Sequence, residues 1–307
     1  MPKLFTTSLP QLGKAREFVG ISKWLNSEPL TMEKLKGKVV LVDFWTYTCI
    51  NCIRTLPHVT GWYEKYKDKG FVVIGVHTPE FEFEKKPENV ENAIKQYKIH
   101  YPVAQDNDYI TWSAYDNHYW PAKYLVDAKG NIRYTHFGEG KYEETEMNIK
   151  TLLDEMGMET NDTTLILQDQ TPQYALTPET YLGTARRDRY VDDFSSVPTH
   201  HFSLQGSWKT DSEYIESKKG SKLKLHFYAD KVFLVITPTG KEDKVKILFD
   251  DKVVSKDQEG DDVENEMIKI DEARLYNLIN LHTGPEEHSL ELDFETDGIK
   301  IYAFTFG

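Results

Sequence analysis

Cysteine is nearly absent from this chain, which has only two in 307 residues, Cys49 and Cys52. Two thiols cannot build a disulfide framework or a four-cysteine metal site. Long apolar runs are also missing, since no stretch approaches the ~20 residues that a membrane-spanning helix needs. The first residues, Met1 to Ser8, lack the apolar segment of a secretory signal peptide. We therefore expect no membrane span and, for the sequence as printed, a cytoplasmic location; an extracytoplasmic one is the alternative if a leader was removed.

The chain also lacks an excess of positive charge, because its 37 Lys and Arg stand against 50 Asp and Glu, a net charge of −13. Such an acidic surface repels phosphate backbones, so we expect no nucleic-acid partner. Hydrophobic residues make up 39% and charged residues 28% of the chain, a composition typical of a folded globular protein. At roughly 150 residues per domain, the length predicts two domains.

The first half of the sequence alternates predicted strands and helices. Buried strands are predicted over Lys38–Phe44 and Phe71–Val76, and their apolar, β-branched residues indicate a mainly parallel sheet. Between them, apolar residues recur at helical spacing from Ile53 to Tyr66, in a helix that bends or breaks near Pro57. An α/β plan is completed by helices at 88–97 and 143–156 and by strands at 123–127 and 132–136.

The second half has a different pattern. Residues 158–178 are polar and carry two prolines with little periodicity, as a boundary segment would. Short alternating runs follow at 222–228, 231–237, 244–249, 289–294 and 299–306. They predict an antiparallel β-sandwich with a jelly-roll-like core. We therefore expect an α/β domain over 1–160, a linker over 161–176 and an all-β domain over 177–307.

The sequence Cys49-Ile50-Asn51-Cys52 stands between a predicted buried strand and a helix, the context in which a CxxC pair carries redox chemistry. Its spacing puts both sulfurs on one side of the first helical turn, close enough to form a disulfide. The helix N-terminus stabilises a thiolate on Cys49, which makes it the attacking nucleophile. Cys52 is then expected to resolve the mixed disulfide. No cofactor and no metal are expected, because the dithiol is itself the redox carrier.

The resolving step needs a base, and Asp43 is the candidate. A carboxyl group in an apolar strand is desolvated and holds its proton to unusually high pH, so Asp43 is expected to take the Cys52 proton through a water. In the alternative, Asp43 lies exposed at a strand edge and has no role. His77 and Glu80 follow the second strand at the sheet edge that carries Cys49. They either tune the thiols or simply cap and solvate a loop.

These residues resemble the thioredoxin family. Val42-Asp43-Phe44-Trp45 precedes the CxxC pair, and Pro57 stands five residues beyond the second cysteine. The resemblance implies a thioredoxin-like fold in which Trp120-Pro121 contains a cis-proline facing the cysteines. It also implies a groove for the partner's chain, shaped by Trp45, Trp120 and Pro121.

A longer similarity is to the soluble part of DipZ-type proteins, within the thioredoxin-like branch that includes TlpA and ResA. It is carried by residues 24–27, 45–52, 75–80 and 177–183, and the segment from 78 to 101 is similar to an insertion of that branch. In DipZ-type proteins a thioredoxin-like domain of redoxin type precedes a β-sandwich that resembles carbohydrate-binding modules. The resemblance thus implies these two domains here, with protein thiols and disulfides as partners.

Two other chemistries compete for the same cysteines. Thr46-Tyr47-Thr48-Cys49 has the Thr-x-x-Cys of peroxiredoxins, which favours a thiol-dependent, antioxidant peroxidase, although a second cysteine three residues on is typical of disulfide exchange. A zinc site made of both cysteines with His58 and His77 is the other alternative, although it needs four converging ligands.

The second half adds binding alternatives. Trp208, Tyr214, Tyr228 and Tyr276 offer flat faces to sugar rings if they are exposed, although strand aromatics more often belong to a core. The acidic stretch 261–266 is a candidate Ca²⁺ site or a solvated turn. A surface that docks protein substrates fits the same domain.

The sequence as a whole predicts a thiol-disulfide oxidoreductase that acts on protein partners as a reductase and takes electrons from an unidentified donor. Between the cysteines, Ile50 and Asn51 match neither a reducing nor a strongly oxidising pair, so the direction of electron flow stays open. A peroxidase, or a carbohydrate- or protein-binding role of the second domain, is the alternative function.

Overall fold

The computed structural model describes residues 8–160 and 163–307, and the chain divides into two compact units, Met1–Thr171 and Pro172–Gly307. The predictions about a leader before Ser8 and about the start of the linker at 161–162 lie outside the described residues. Residues 163–176 contain neither helix nor strand. In the described part of the chain, no helix is both long and apolar enough to cross a bilayer.

The first unit is built on a seven-stranded sheet. Its strands are β1 (Gly13–Lys14), β2 (Lys23–Leu25), β3 (Val39–Trp45), β4 (Phe71–His77), β5 (Val103–Gln105), β6 (Ala122–Val126) and β7 (Asn131–Phe137). They lie in the order β1-β7-β6-β3-β4-β5-β2. The prediction of a mainly parallel sheet was wrong. Strand β4 pairs in parallel with β3 and β5, but β6 pairs antiparallel with both β3 and β7, β1 pairs antiparallel with β7, and β2 pairs antiparallel with β5.

Four α-helices surround this sheet in the described residues: α1 (Ile50–Tyr66), α2 (Pro87–Gln96), α3 (Ile110–Ala114) and α4 (Tyr142–Glu155). Helix α1 runs through Pro57 without interruption and begins at Ile50, three residues before the predicted start. Leu56, Val59 and Trp62 on its inner face are buried. A 3₁₀ turn at Glu82–Lys85 precedes α2. The helix thus has Cys49 as its N-cap and Cys52 in its first turn.

The second unit contains only strands, which confirms the predicted all-β domain. They are β8 (Thr180–Tyr181), β9 (His201–Gln205), β10 (Trp208–Thr210), β11 (Ile215–Ser217), β12 (Ser221–Ala229), β13 (Lys231–Thr237), β14 (Val245–Phe249), β15 (Lys252–Val253), β16 (Val263–Glu264), β17 (Met267–Ile268), β18 (Arg274–Asn280), β19 (Glu286–Phe294) and β20 (Lys300–Phe306).

Two antiparallel sheets form the second unit. One has the order β10-β11-β20-β13-β18 with β8 beside β20, and the other has the order β16-β17-β14-β19-β12-β9 with β15 beside β14. Strand β12 alternates buried and half-buried residues along its whole length, as one face of a sandwich requires. Phe227, Phe294 and Phe304 are among the fully buried residues of the resulting core.

Candidate functional site: a dithiol beside a buried Asp–Lys pair

The two cysteines lie at the N-terminus of α1, directly after the carboxyl end of β3. Both are free thiols; Cys49 is 8% exposed and Cys52 is 1% exposed. Cys49 is the N-cap of the helix, and its sulfur accepts a hydrogen bond of 3.2 Å from the Cys52 backbone N–H. Burial, together with the neighbouring Cys49 thiol, raises the pKa of Cys52. Cys49 is therefore the more accessible sulfur, and Cys52 is the one that needs a base.

Asp43 and Lys123 are paired residues of β3 and β6, and both are buried. Among the described residues, neither the carboxylate oxygens of Asp43 nor Nζ of Lys123 has a hydrogen-bond partner. Burial raises the pKa of Asp43 to about 6, although the Lys123 charge lowers it. Burial lowers the pKa of Lys123, although the charges of Asp43 and Cys52 raise it. Desolvation thus dominates at both groups, and a solvent-exposed Asp43 is excluded.

Gly75 makes room for aromatic side chains beside this pair. It lies opposite Asp43 on β4, and a Cβ at Gly75 would stand 2.9 Å from the Tyr101 ring and 3.0 Å from Nε1 of Trp45. Trp45 is fully buried and packs edge-on against His77, with ring centroids 5.3 Å apart. The expectation that Trp45 lines a partner groove was therefore wrong, because its indole is enclosed in the interior.

Trp120 and Pro121 stand immediately before β6. The peptide bond between them is cis, as the family resemblance implies. The half-buried Trp120 indole donates a hydrogen bond of 3.1 Å to the Thr78 carbonyl, and its ring lies 4.3 Å from that of Trp112. The Gly138 backbone N–H donates to the Pro121 carbonyl at 2.8 Å. Both residues are thus held by the loops around them.

His77 and Glu80 are the two residues expected to tune the thiols. His77 lies near Thr46, in the segment that leads to Cys49, and Glu80 forms a backbone hydrogen bond with Glu84. His77 Nε2 is 3.4 Å from Oγ1 of Thr46. Burial lowers the pKa of His77 to about 3, so the imidazole is neutral. The Glu80 backbone N–H donates to the carboxylate of Glu84.

Glu84 is a site residue that the sequence analysis missed. It is fully buried and accepts hydrogen bonds from the hydroxyls of Thr46 at 2.7 Å and Thr48 at 2.6 Å. The sequence feature that could have indicated its burial is its place in Phe81-Glu82-Phe83-Glu84, where both phenylalanines are buried. A hydroxyl has one proton to donate. The hydroxyl of Thr46, the residue on which the peroxidase alternative rests, donates its proton in the hydrogen bond to Glu84.

A second missed contact holds Asn51, one of the two residues between the cysteines. Arg54 donates to Oδ1 of Asn51 at 2.7 Å and forms two hydrogen bonds, of 2.7 and 2.9 Å, with the carboxylate of Glu139. The Arg54 and Glu139 side chains are only 7% and 12% exposed. The fork-like pairing therefore ties Asn51 to the loop that follows β7.

The ligands of the zinc alternative do not converge. Within residues 8–160 and 163–307, no three His, Cys, Asp or Glu side chains are placed to hold a metal ion. His58 instead stacks on Tyr142, with ring centroids 3.6 Å apart. In the acidic stretch proposed for Ca²⁺, Asp262 pairs with Arg274 at 2.8 Å.

One of the four aromatic residues expected to form a sugar platform lies in the core. Tyr276 is fully buried, so the expectation that it offers a face to a sugar was wrong. Its strand, β18, lies at the opposite edge of the sheet from β10, which holds Trp208. Tyr214 has Nζ of Lys300 over its ring, 4.4 Å from the centroid. Tyr276 therefore cannot join the other three candidates, Trp208, Tyr214 and Tyr228, in one platform.

Comparison with known proteins gives matches to both units. A family model described as Redoxin matches residues 13–153, and one described as "Thioredoxin like C-terminal domain" matches residues 177–307. Protein DipZ of Mycobacterium tuberculosis is 42% identical over 254 residues, which are 76% of this chain and 36% of that protein. The chain thus spans little more than a third of the length of DipZ.

Two shorter relatives are thiol-disulfide oxidoreductases. The thiol-disulfide oxidoreductase YkuV of Bacillus subtilis is 31% identical over 140 residues, which cover 45% of this chain and 93% of YkuV. The thiol-disulfide oxidoreductase ResA of Bacillus cereus is 32% identical over 137 residues, which cover 44% of this chain and 75% of ResA. The similarity to these two relatives extends over most of their length.

Proposed function

The chain belongs to the thioredoxin-like family of thiol-disulfide oxidoreductases, and from this we propose that it reduces disulfides of protein partners through the Cys49/Cys52 dithiol. The observation that carries the proposal is the unequal placement of the two thiols. Cys49 caps α1 and keeps 8% of its surface exposed, whereas Cys52 is 1% exposed. An accessible sulfur at a helix N-terminus suits attack, and a buried one suits resolution.

The reaction proceeds in two exchanges. The Cys49 thiolate attacks a partner disulfide, forms a mixed disulfide and releases the partner's other sulfur as a thiolate. Cys52 then gives its proton to Asp43 and attacks the Cys49 sulfur, which frees the partner's second thiol and leaves a Cys49–Cys52 disulfide. Two electrons pass to the partner, and an external dithiol donor must return the disulfide to the reduced state.

Asp43 is assigned as the acceptor of the Cys52 proton for two reasons. Its negative charge raises the pKa of Cys52, and its carboxylate is buried. A carboxyl group with a pKa of about 6 accepts a proton at neutral pH and releases it again readily. Lys123 supports this role, because its charge opposes the effect of burial on Asp43.

We assign this chemistry to the domain over 1–160 and the docking of protein substrates to the sandwich over 177–307. Trp120 and Pro121 are assigned to the partner groove beside Cys49. Docking of a protein is favoured over a sugar, because Tyr276 is buried and Tyr214 lies under Lys300.

The test is reduction of a model protein disulfide, such as that of insulin, with dithiothreitol as donor. We expect Cys49→Ser to abolish turnover and Cys52→Ser to accumulate a mixed disulfide that is visible on a non-reducing gel. If both variants turned over like the parent protein, the assignment would be wrong.

The direction is tested by equilibration of the reduced chain in glutathione buffers. A reduction potential of about −270 mV, as in thioredoxin, supports a reductase. A potential of about −120 mV would identify an oxidant and overturn the direction proposed here.

A further inference from the structure

Glu84 is a buried carboxylate whose two oxygens are both occupied. Oε1 accepts the hydroxyls of Thr46 and Thr48, at 2.7 and 2.6 Å. Oε2 accepts the backbone N–H of Phe81 at 3.0 Å and that of Glu80. A buried carboxylate is costly unless it is fully hydrogen-bonded, and here donors from two separate segments converge on it. Such an arrangement fixes the two segments relative to each other.

One of these segments leads into the dithiol. Thr48 is bonded to Cys49, the N-cap of α1. Burial raises the pKa of Cys52, whereas a hydrogen bond from the backbone of Thr46 lowers it. Thr48 therefore connects the carboxylate of Glu84 directly to Cys49, and Thr46 lies two residues earlier in the same segment.

We propose that Glu84 is a positioning residue of the dithiol: its carboxylate holds residues 46–48 so that Cys49 caps α1. The proposal deepens the proposed function and rests on it. It also gives the threonines of the Thr-x-Thr-Cys sequence a role, because their hydroxyls are the donors that carry the restraint from a residue 36 to 38 positions away.

The experiment measures the alkylation rate of Cys49 by iodoacetamide in the full reduced chain, with the labelled cysteine identified by mass spectrometry. Burial raises the pKa of Glu84 to about 7, so the rates are compared at about pH 8.5, where the carboxylate form prevails. Glu84→Gln keeps the shape of the side chain but removes that charge and one acceptor oxygen. We expect it to change the Cys49 alkylation rate by about tenfold and Glu84→Ala to change it further, since hydrogen bonds to a charged group are about twice as strong as neutral ones. Glu82→Gln, an exposed carboxylate of the same turn, is the matched control and should alkylate at the parent rate.

Two further variants test the same hydrogen bonds without altering Glu84. Thr46→Val and Thr48→Val each replace a hydroxyl by a methyl group of similar size and leave the carboxylate in place. We expect each to change the alkylation rate in the same direction as Glu84→Gln. Combined with Glu84→Gln, each should add less than its separate effect, because residues of one hydrogen-bond network do not act additively.

The reduction potential in glutathione buffers distinguishes positioning from a purely structural role. We expect the equilibrium constant of Glu84→Gln to differ from that of the parent by about tenfold, which is about 30 mV for a two-electron couple. Variants that only lower the melting temperature, with the alkylation rate and potential of the parent, would overturn the proposal. Alkylation needs no partner protein, so a parent chain inactive on insulin would refute the proposed function and leave this comparison valid.

Discussion

Asp43 and Lys123 pair across β3 and β6 as two buried, oppositely charged groups. Paired positions of neighbouring strands place their side chains on one face of the sheet, with Cβ atoms about 4.5–5.5 Å apart. Each charge costs several kcal/mol to remove from water, and their mutual attraction offsets part of that cost. The sheet interior next to Cys52 therefore holds a carboxyl group that titrates close to neutral pH.

Replacement of the carboxyl group by an amide tests whether Asp43 accepts the proton of Cys52. Because the pKa of Asp43 is about 6, the carboxylate is available above that pH and lost below it. We expect Asp43→Asn to slow resolution of a mixed disulfide by about 100-fold at neutral pH. The parent rate should fall as the pH drops through about 6, and the variant should lack this step. The measurement is the lifetime of the mixed disulfide with a labelled peptide in rapid-quench experiments.

Asp116→Asn serves as the control. It makes the same chemical change in the same unit, but at an exposed carboxylate. It should resolve mixed disulfides at the parent rate. A pH step that persists in Asp43→Asn would assign the titration to another group.

Lys123→Met tests whether the lysine sets the protonation of Asp43. The variant removes a charge that lowers the pKa of Asp43 and leaves burial unopposed. The pH step in mixed-disulfide resolution should therefore move upward by about one unit, equivalent to about 1.4 kcal/mol. The same rapid-quench series over pH measures it, with circular dichroism to verify the fold. An unchanged midpoint would show that the two charges do not interact.

Local features of the sequence were sufficient to predict the strand that carries Asp43 and the CxxC pair at the start of a helix. The apolar run Val39–Phe44 predicts a buried strand, and burial of its one carboxyl group follows from its neighbours. Lys123 could not be predicted in the same way. Whether a strand lysine faces the core or the solvent depends on the register of β6 against β3, which is a tertiary property.

The same limit applies to the other site residues. Glu84 binds threonines that are 36 and 38 positions away, and Arg54 binds Glu139 across 85 positions. The family resemblance placed Trp45 in a partner groove, and Tyr276 was a candidate for a sugar platform, yet both complete a core. Burial of a strand aromatic depends on which face of the sheet is covered, and one strand alone does not determine this.

Stability against pH gives an independent test of the buried carboxyl group. The pKa of Asp43 is raised from 3.8 to about 6 on folding, so its favourable contribution is present below the unfolded value and is lost as the pH rises through about 6. A rise of about two units corresponds to about 3 kcal/mol. Asp43→Asn has no charge to bury, so its free energy of unfolding should exceed that of the parent by up to about 3 kcal/mol at about pH 8. Urea denaturation over pH measures the difference, and a difference that does not grow between about pH 5 and pH 8 would contradict it.

Glu139→Gln tests the contact that holds Asn51, one of the two residues between the cysteines. The variant leaves the Arg54 guanidinium, 7% exposed, without its carboxylate, and a broken buried pair costs about 3–5 kcal/mol. We expect a loss of about 3 kcal/mol in the free energy of unfolding by urea. Glu33→Gln is the control, and it breaks the ion pair of Glu33 with Lys36, whose side chains are 75% and 62% exposed. Its loss in the free energy of unfolding should stay below about 1 kcal/mol. Because Arg54 also binds Asn51, amide hydrogen exchange in the first turn of α1 should accelerate in Glu139→Gln and not in the control. Equal exchange in both variants would mean that the ion pair stabilises the loop after β7 without holding the turn that carries the two sulfurs.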